Sequence, residues 1–169
     1  MNNTNYKEKT AQLKTIVSPT LSDTVDLVIP LHIYYKRMMQ EVKKFLEEKY
    51  DLSKSELNLL LALAATADKS NTLAPTELYE HLVFSSGGMT KLLKKLEIKD
   101  FILRVENPED KRSKLVQLTK KGKDIASTAI NDVITLEGKY FSCLNDIERS
   151  VLLTAFEKLA INSKDNSEN

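Results

Sequence analysis

A mainly α-helical chain carrying one small β-hairpin is expected from three features of this 169-residue sequence. Apolar residues recur every three or four positions over most of its length, the period of a half-buried helix. That period gives way to short runs rich in β-formers over Phe101–Val105 and Lys114–Leu118. The segment between them, ENPEDKRS, holds Asn107 and Pro108, residues that favour a turn.

Residues 1–21 form a polar lead-in where Leu13, Ile16 and Val17 make a weak helical set, interrupted by Pro19. A long amphipathic helix follows, with Ser22 or Asp23 as its N-cap. Its stripe is Val25, Val28, Ile29, Tyr35, Met38, Met39, Val42, Phe45 and Leu46. Pro30 lies inside it, and an interior proline costs about 3 kcal/mol, so a kink or a late start is expected there. Ser53 and Glu56 form a capping box for the next helix, LNLLLALAAT, which is apolar nearly all round and therefore central. After the turn DKSNTLAP, Pro75 suits the first position of a helix with Leu78, Leu82 and Val83 as its apolar positions. Ser85 then caps a basic helix in which Leu92, Leu93, Leu96 and Ile98 face inward and Lys91, Lys94, Lys95 and Lys99 largely outward. Beyond the hairpin, Thr119 caps a helix striped by Ile125, Ala129, Ile130, Val133, Ile134 and Phe141, and Asn145 with Glu148 opens the last one. The tail, 163–169, is expected to be disordered.

A hydrophobic content of 41% beside 29% charged residues is enough to bury a core. No apolar run approaches the roughly 20 residues of a membrane span, and the polar N-terminus lacks a signal core, so a cytoplasmic protein without membrane contact is expected. The single cysteine, Cys143, excludes an internal disulfide and a cysteine-based zinc site. Charge is informative only when resolved along the chain. Residues 85–123 hold eleven Lys or Arg against five Asp or Glu, a local surplus of six, with a deficit of five elsewhere. A surplus confined to one segment points to a polyanion partner.

Four helices, a hairpin and two helices, with the cations on the fourth helix and the hairpin, make a winged helix-turn-helix. In such a unit the second helix of the pair offers its N-terminal half to base edges in the major groove, and the first helix buttresses it. Ser85, Ser86, Met89, Thr90, Lys91 and Lys94 are the candidates for readout, Met89 through a thymine methyl, with Lys95 beside them on phosphate. Lysines on a helix are also, more commonly, a solubilising face; the winged-helix context reverses that weighting. Gly87 and Gly88 fall in the first turn, where their lack of side chains means either a frayed start or close backbone approach to phosphate. At the hairpin tip, Asp110 can hold Arg112 in the rotamer that enters a narrow minor groove, with Lys111 between them. The same pair could simply pin the hairpin. Arg104 could brace the turn or touch phosphate.

The run Ser85, Thr90-Lys91, Leu96-Glu97, Arg104, then Asn107-Pro108-Glu109-Asp110-Lys111-Arg112, Val116, Leu118-Thr119 and Gly122 resembles the multiple-antibiotic-resistance regulator (MarR) family of bacterial transcription factors. The family's wing pattern, Asp-x-Arg followed by Val-x-Leu-Thr and a nearby Gly, stands unbroken here as DKRSKLVQLTKKG. The two glycines depart from the pattern, since the family has larger residues there. The resemblance implies a homodimer on a pseudopalindromic double-stranded operator. It implies a dimerisation lobe from residues 1–50 and 121–162 around a DNA-binding domain over 51–120. It also implies, for many members, repression relieved by a small aromatic effector.

Other residues carry less. Cys143 as a redox switch is outweighed by the commoner role of a free cysteine as a small buried apolar residue. His32 and His81 are isolated, and Tyr34, Tyr35 and Met38 read as core or interface before an effector pocket. No catalytic motif, metal site or cofactor site is expected. The rival from another class is a winged-helix module that docks proteins or RNA without sequence-specific DNA binding.

Overall fold

The computed structural model describes the backbone of residues 3–66, 71–81, 86–108, 110 and 112–165, and side chains over 6–66, 71–78, 88–108, 110 and 112–162. By internal contacts the chain divides into residues 1–131 and 132–169.

In the first unit, the expected polar lead-in is helical: α1 runs Asn3–Lys14. Its Lys14 reaches Asp26 of the next helix at 2.6 Å. A 3-10 turn, Pro19–Leu21, leads directly into α2, Ser22–Tyr50. The expected N-cap fails here, and of the two alternatives at Pro30 the late start is excluded. Leu21, not Ser22 or Asp23, is the N-cap residue, because the 3-10 turn feeds the helix directly, and its apolar side chain supplies no capping hydrogen bond. Nor does the helix start late, since it already runs for two turns before Pro30; the proline removes one i→i−4 bond within a 29-residue helix. The predicted stripe is buried only at Val25, Val42 and Leu46, while Tyr35 is 54% exposed. Asp51, in the left-handed conformation at φ 51°, ends α2.

Ser53 and Glu56 form the predicted capping box at the start of α3, Lys54–Ala64. Its Leu57, Leu59, Leu60 and Leu63 are the centre of the core, which is what an all-round apolar helix requires. The helix α4, Pro75–His81, starts on its proline and buries Leu78 completely. Leu82, Val83 and the cap Ser85 lie outside the described residues.

The basic helix α5, Ser86–Ile98, buries Met89, Leu92, Leu93 and Leu96. The sheet that follows has three strands rather than two. β2 (Ile102–Glu106) and β3 (Lys114–Leu118) pair antiparallel, with Arg104 opposite Val116. A two-residue strand within the predicted turn, β1 (Thr72–Leu73), adds to the other side of β3, giving the order β1-β3-β2. Asn71, with φ 50°, makes the turn into β1, and its carbonyl accepts from the Leu118 N–H at 3.0 Å.

The next helix, α6 (Lys120–Tyr140), begins in the first unit, where Thr119 caps it as predicted: its Oγ1 accepts from the Gly122 N–H at 2.9 Å. Thr119 also donates that hydroxyl toward the carbonyls of Asp100 and Phe101. Gly122 packs so tightly against this junction that a Cβ there would lie 2.1 Å from the Phe101 carbonyl oxygen.

In the second unit α6 finishes and α7 spans Asp146–Asp165. Asn145 and Glu148 cap it reciprocally, at 3.0 and 2.9 Å. The helix reaches Asp165, and 166–169 lie outside the described residues. Ile147, Val151, Leu153, Leu159 and Ile161 of α7 are all at least 60% exposed in the single chain. Cys143, expected to be buried, is exposed as well.

Candidate nucleic-acid interface

The two faces of α5 are set by helical spacing. Residues 89, 92, 93 and 96 recur at three and four positions and are buried, whereas Lys91, Lys94 and Lys95 are exposed on the opposite side, with Thr90. This corrects three readings. Met89 is 0% exposed, so its thioether is a core side chain that cannot meet a thymine methyl. Ile98, three and four residues beyond Lys95 and Lys94, belongs to the outer face and is 72% exposed. Lys99, three residues beyond Leu96, belongs to the inner one.

The Lys99 ammonium, with a side chain only 23% exposed, sits 3.3 Å from Glu56 Oε1 and 3.2 Å from Asp51 Oδ2, and donates to the Asp51 carbonyl. Glu56 is 2% exposed. Burial alone would raise its carboxyl, but hydrogen bonds from Ser53 and the Lys99 charge outweigh that and hold it below its ordinary value. The next cation, Lys121, donates to the Lys99 carbonyl at 2.8 Å and lies 5.2 Å above the Phe101 ring. Lys99, one of the surplus cations, therefore serves the interior, whereas Lys121 remains 62% exposed.

The hairpin tip is built around Asp110. Its carbonyl accepts from the Ser113 N–H at 3.0 Å, and its Oδ1 accepts from the Arg112 N–H at 3.0 Å and from Arg112 Nε at 3.3 Å. Asn107 Nδ2 donates to Ser113 Oγ at 2.9 Å across the turn. The predicted Asp110–Arg112 pairing is thus present, and the Arg112 side chain remains 94% exposed. An exposed pair contributes about 0–1 kcal/mol, so its consequence is the rotamer rather than stability. Arg104 is partly exposed on β2. Ser86 and Gly87 start α5, with their side-chain surroundings outside the described set; Ser85 and Lys111 lie outside the described residues altogether. His32 is exposed. Among the described residues, no His, Cys, Asp and Glu cluster could hold a metal ion, and no helix is long and apolar enough to cross a membrane.

The family described as transcriptional regulator SarA/Rot matches residues 41–128, from the second half of α2 into α6. The HTH-type transcriptional regulator SarZ of Staphylococcus aureus (strain USA300) is 32% identical over 96 residues, 57% of this chain and 62% of the relative. The match thus spans under two thirds of that relative's length. Among solved structures, the apo form of wild-type MarR from E. coli superposes with a TM-score of 0.65 at 25% identity, covering 76% of this chain and 93% of the other. A mutant MarR from E. coli complexed with operator DNA has a TM-score of 0.63 at 23% identity, covering 82% and 96%.

Proposed function

The chain belongs to the SarA/Rot family of transcriptional regulators, of MarR type, and on that footing we propose that it works as a homodimeric repressor bound to a pseudopalindromic double-stranded operator. The DNA-binding domain is residues 51–120, and residues 1–50 and 121–162 form the dimerisation lobe. In this reading α5 enters the major groove, with Ser85, Ser86, Thr90, Lys91 and Lys94 toward bases, and Gly87 and Lys95 toward phosphate. Arg112, steered by Asp110 and flanked by Lys111, enters the minor groove, and Arg104 meets the backbone. Met89 supports from inside.

The observation that carries the proposal is the bare guanidinium of Arg112, 94% exposed yet held by a carboxylate two residues away. A solvated arginine with no task gains nothing from a pinned rotamer, whereas an electronegative groove selects it. Support for the second copy comes from apolar surface left uncovered. Leu27, Leu31 and Tyr35 of α2, four residues apart, are 75%, 52% and 54% exposed, and α7 is uncovered along most of its length. A water-exposed stripe of this kind marks an interaction surface. Release from DNA by a small aromatic molecule, and a cytoplasmic location, belong to the reading through the MarR resemblance alone.

Mobility-shift and sedimentation measurements test the proposal together. Arg112→Ala should weaken operator binding by about tenfold, roughly 1–2 kcal/mol, and leave the dimer intact. Wild-type affinity in that variant, or a monomeric wild type, refutes the assignment. Binding that is indifferent to salt and sequence favours the protein- or RNA-docking alternative.

A further inference from the structure

We propose that Glu56 and Lys99 set the angle at which α5 leaves the α3 scaffold, and thereby control operator affinity without either residue touching DNA. The inference rests on the DNA-binding reading above. The Lys99 ammonium joins three helices at one point, because it follows α5, bonds the Asp51 carbonyl that terminates α2, and faces Glu56 in the first turn of α3. Its donors are taken by these acceptors, so little is left for a phosphate. Glu56 is equally committed. Its Oε2 accepts from the Ser53 N–H at 2.7 Å to close the capping box, which leaves Oε1 for Lys99. A carboxylate this buried requires a cationic partner, so the pair is strongly held to one geometry.

Geometry makes the clamp a lever. The 13 residues of α5 extend about 20 Å at the α-helical rise, with the clamp at the C-terminal end and the readout positions at the other. A tilt of about 5° at Lys99 moves the N-terminal end by roughly 1.7 Å. Hydrogen bonds to base edges, about 2.9 Å long, do not survive such a shift. Glu56 and Lys99 are therefore positioning residues, acting through the N-terminal half of α5, where the same tilt moves Thr90 and Lys91 by roughly 1 Å.

Fluorescence anisotropy tests this with the full-length chain and a labelled duplex that the wild type enriches from a random library, titrated over a range of salt. Glu56→Gln keeps the capping box, which accepts either Glu or Gln, and replaces the charged oxygen that faces Lys99 by a neutral amide NH2, which cannot accept from it. Glu56→Gln and Lys99→Gln are each expected to lower affinity about tenfold, and the double variant no further than either, as for two halves of one interaction. Neither should change the slope of log affinity against log salt, whereas Lys95→Gln, losing a phosphate contact, should flatten it by about 0.9. Thermal melts fix a temperature at which every variant is folded, so that a merely structural role leaves affinity untouched. Where a Gln variant does not fold, Glu56→Asp, one methylene short, is expected to give the same loss at unchanged slope. Wild-type affinity in the folded variants, additive losses in the double, or a slope for Lys99→Gln that falls like that of Lys95→Gln overturns the inference. A wild type that enriches no duplex and shows no salt-sensitive complex refutes the DNA-binding reading itself, and the inference falls with it.

Discussion

Replacing Gly122 by alanine sets two physical effects of opposite sign against each other. In an isolated helix the change is favourable, because alanine exceeds glycine in helix propensity by about 1 kcal/mol. Here the added Cβ would stand 2.1 Å from the Phe101 carbonyl oxygen and 2.9 Å from Leu118 Cδ1. One neighbour is backbone, so the start of α6 has to move. Forcing a methyl group into a filled site costs about 1–3 kcal/mol. The displacement also threatens two bonds to that same oxygen, from the Thr119 N–H at 3.0 Å and its hydroxyl at 3.1 Å, each contributing about 1 kcal/mol. After the propensity gain the net loss is about 2–4 kcal/mol. For a chain of this length that lowers the melting temperature by roughly 5–15 °C, read by circular dichroism or calorimetry. Gly138→Ala is the control. It is also helical, but a Cβ there meets nothing within 4 Å, so it should stabilise the chain by up to about 1 kcal/mol. An alanine at 122 that melts at or above wild type shows that the α6 junction is not close-packed, and the reasoning fails. A destabilised Gly138→Ala puts the backbone of a second copy against that position.

Two further outcomes follow from the same geometry. Met89→Ala should cost about 2–5 kcal/mol in chemical denaturation while leaving the salt slope and sequence preference of the folded protein unchanged; Thr90→Ala should leave stability and the salt slope nearly unchanged and alter the sequence preference. A changed base preference in Met89→Ala returns that residue to the interface. The depressed carboxyl of Glu56 adds stability that is present above its unfolded value, near 4.5, and is lost as pH falls through the lower folded value. Unfolding free energies between about pH 6 and 3 should therefore fall less steeply in Glu56→Gln than in wild type, and parallel curves would count against a charged Glu56.

Much of the site was legible because its signals are local. Capping pairs such as Ser53 with Glu56 and Asn145 with Glu148 reach only three residues, and the observed bonds fall where the spacing put them. Asp110 and Arg112 lie two residues apart, so their pairing at the hairpin tip was likewise visible. The errors in α5 were avoidable, since Met89, Ile98 and Lys99 each follow the helical period that side-chain chemistry argued against. Methionine resembled a base contact and lysine a surface charge, but position on the helix overrode residue type.

Other features have no counterpart in the order of residues. β1 is two residues long, too short to show the alternation that marks an independent strand, and forms only because β3 offers it an edge. The Lys99–Glu56 pair spans 43 positions and Gly122 meets Phe101 across 21, distances at which spacing carries no information about contact. Periodicity and capping act within one or two turns, so the chain alone determined its helices, its hairpin and the sign of its charge. Which cations face outward, which glycine is indispensable and how α5 is anchored were decided by packing, because a side chain's surroundings are assembled from segments that meet only after folding.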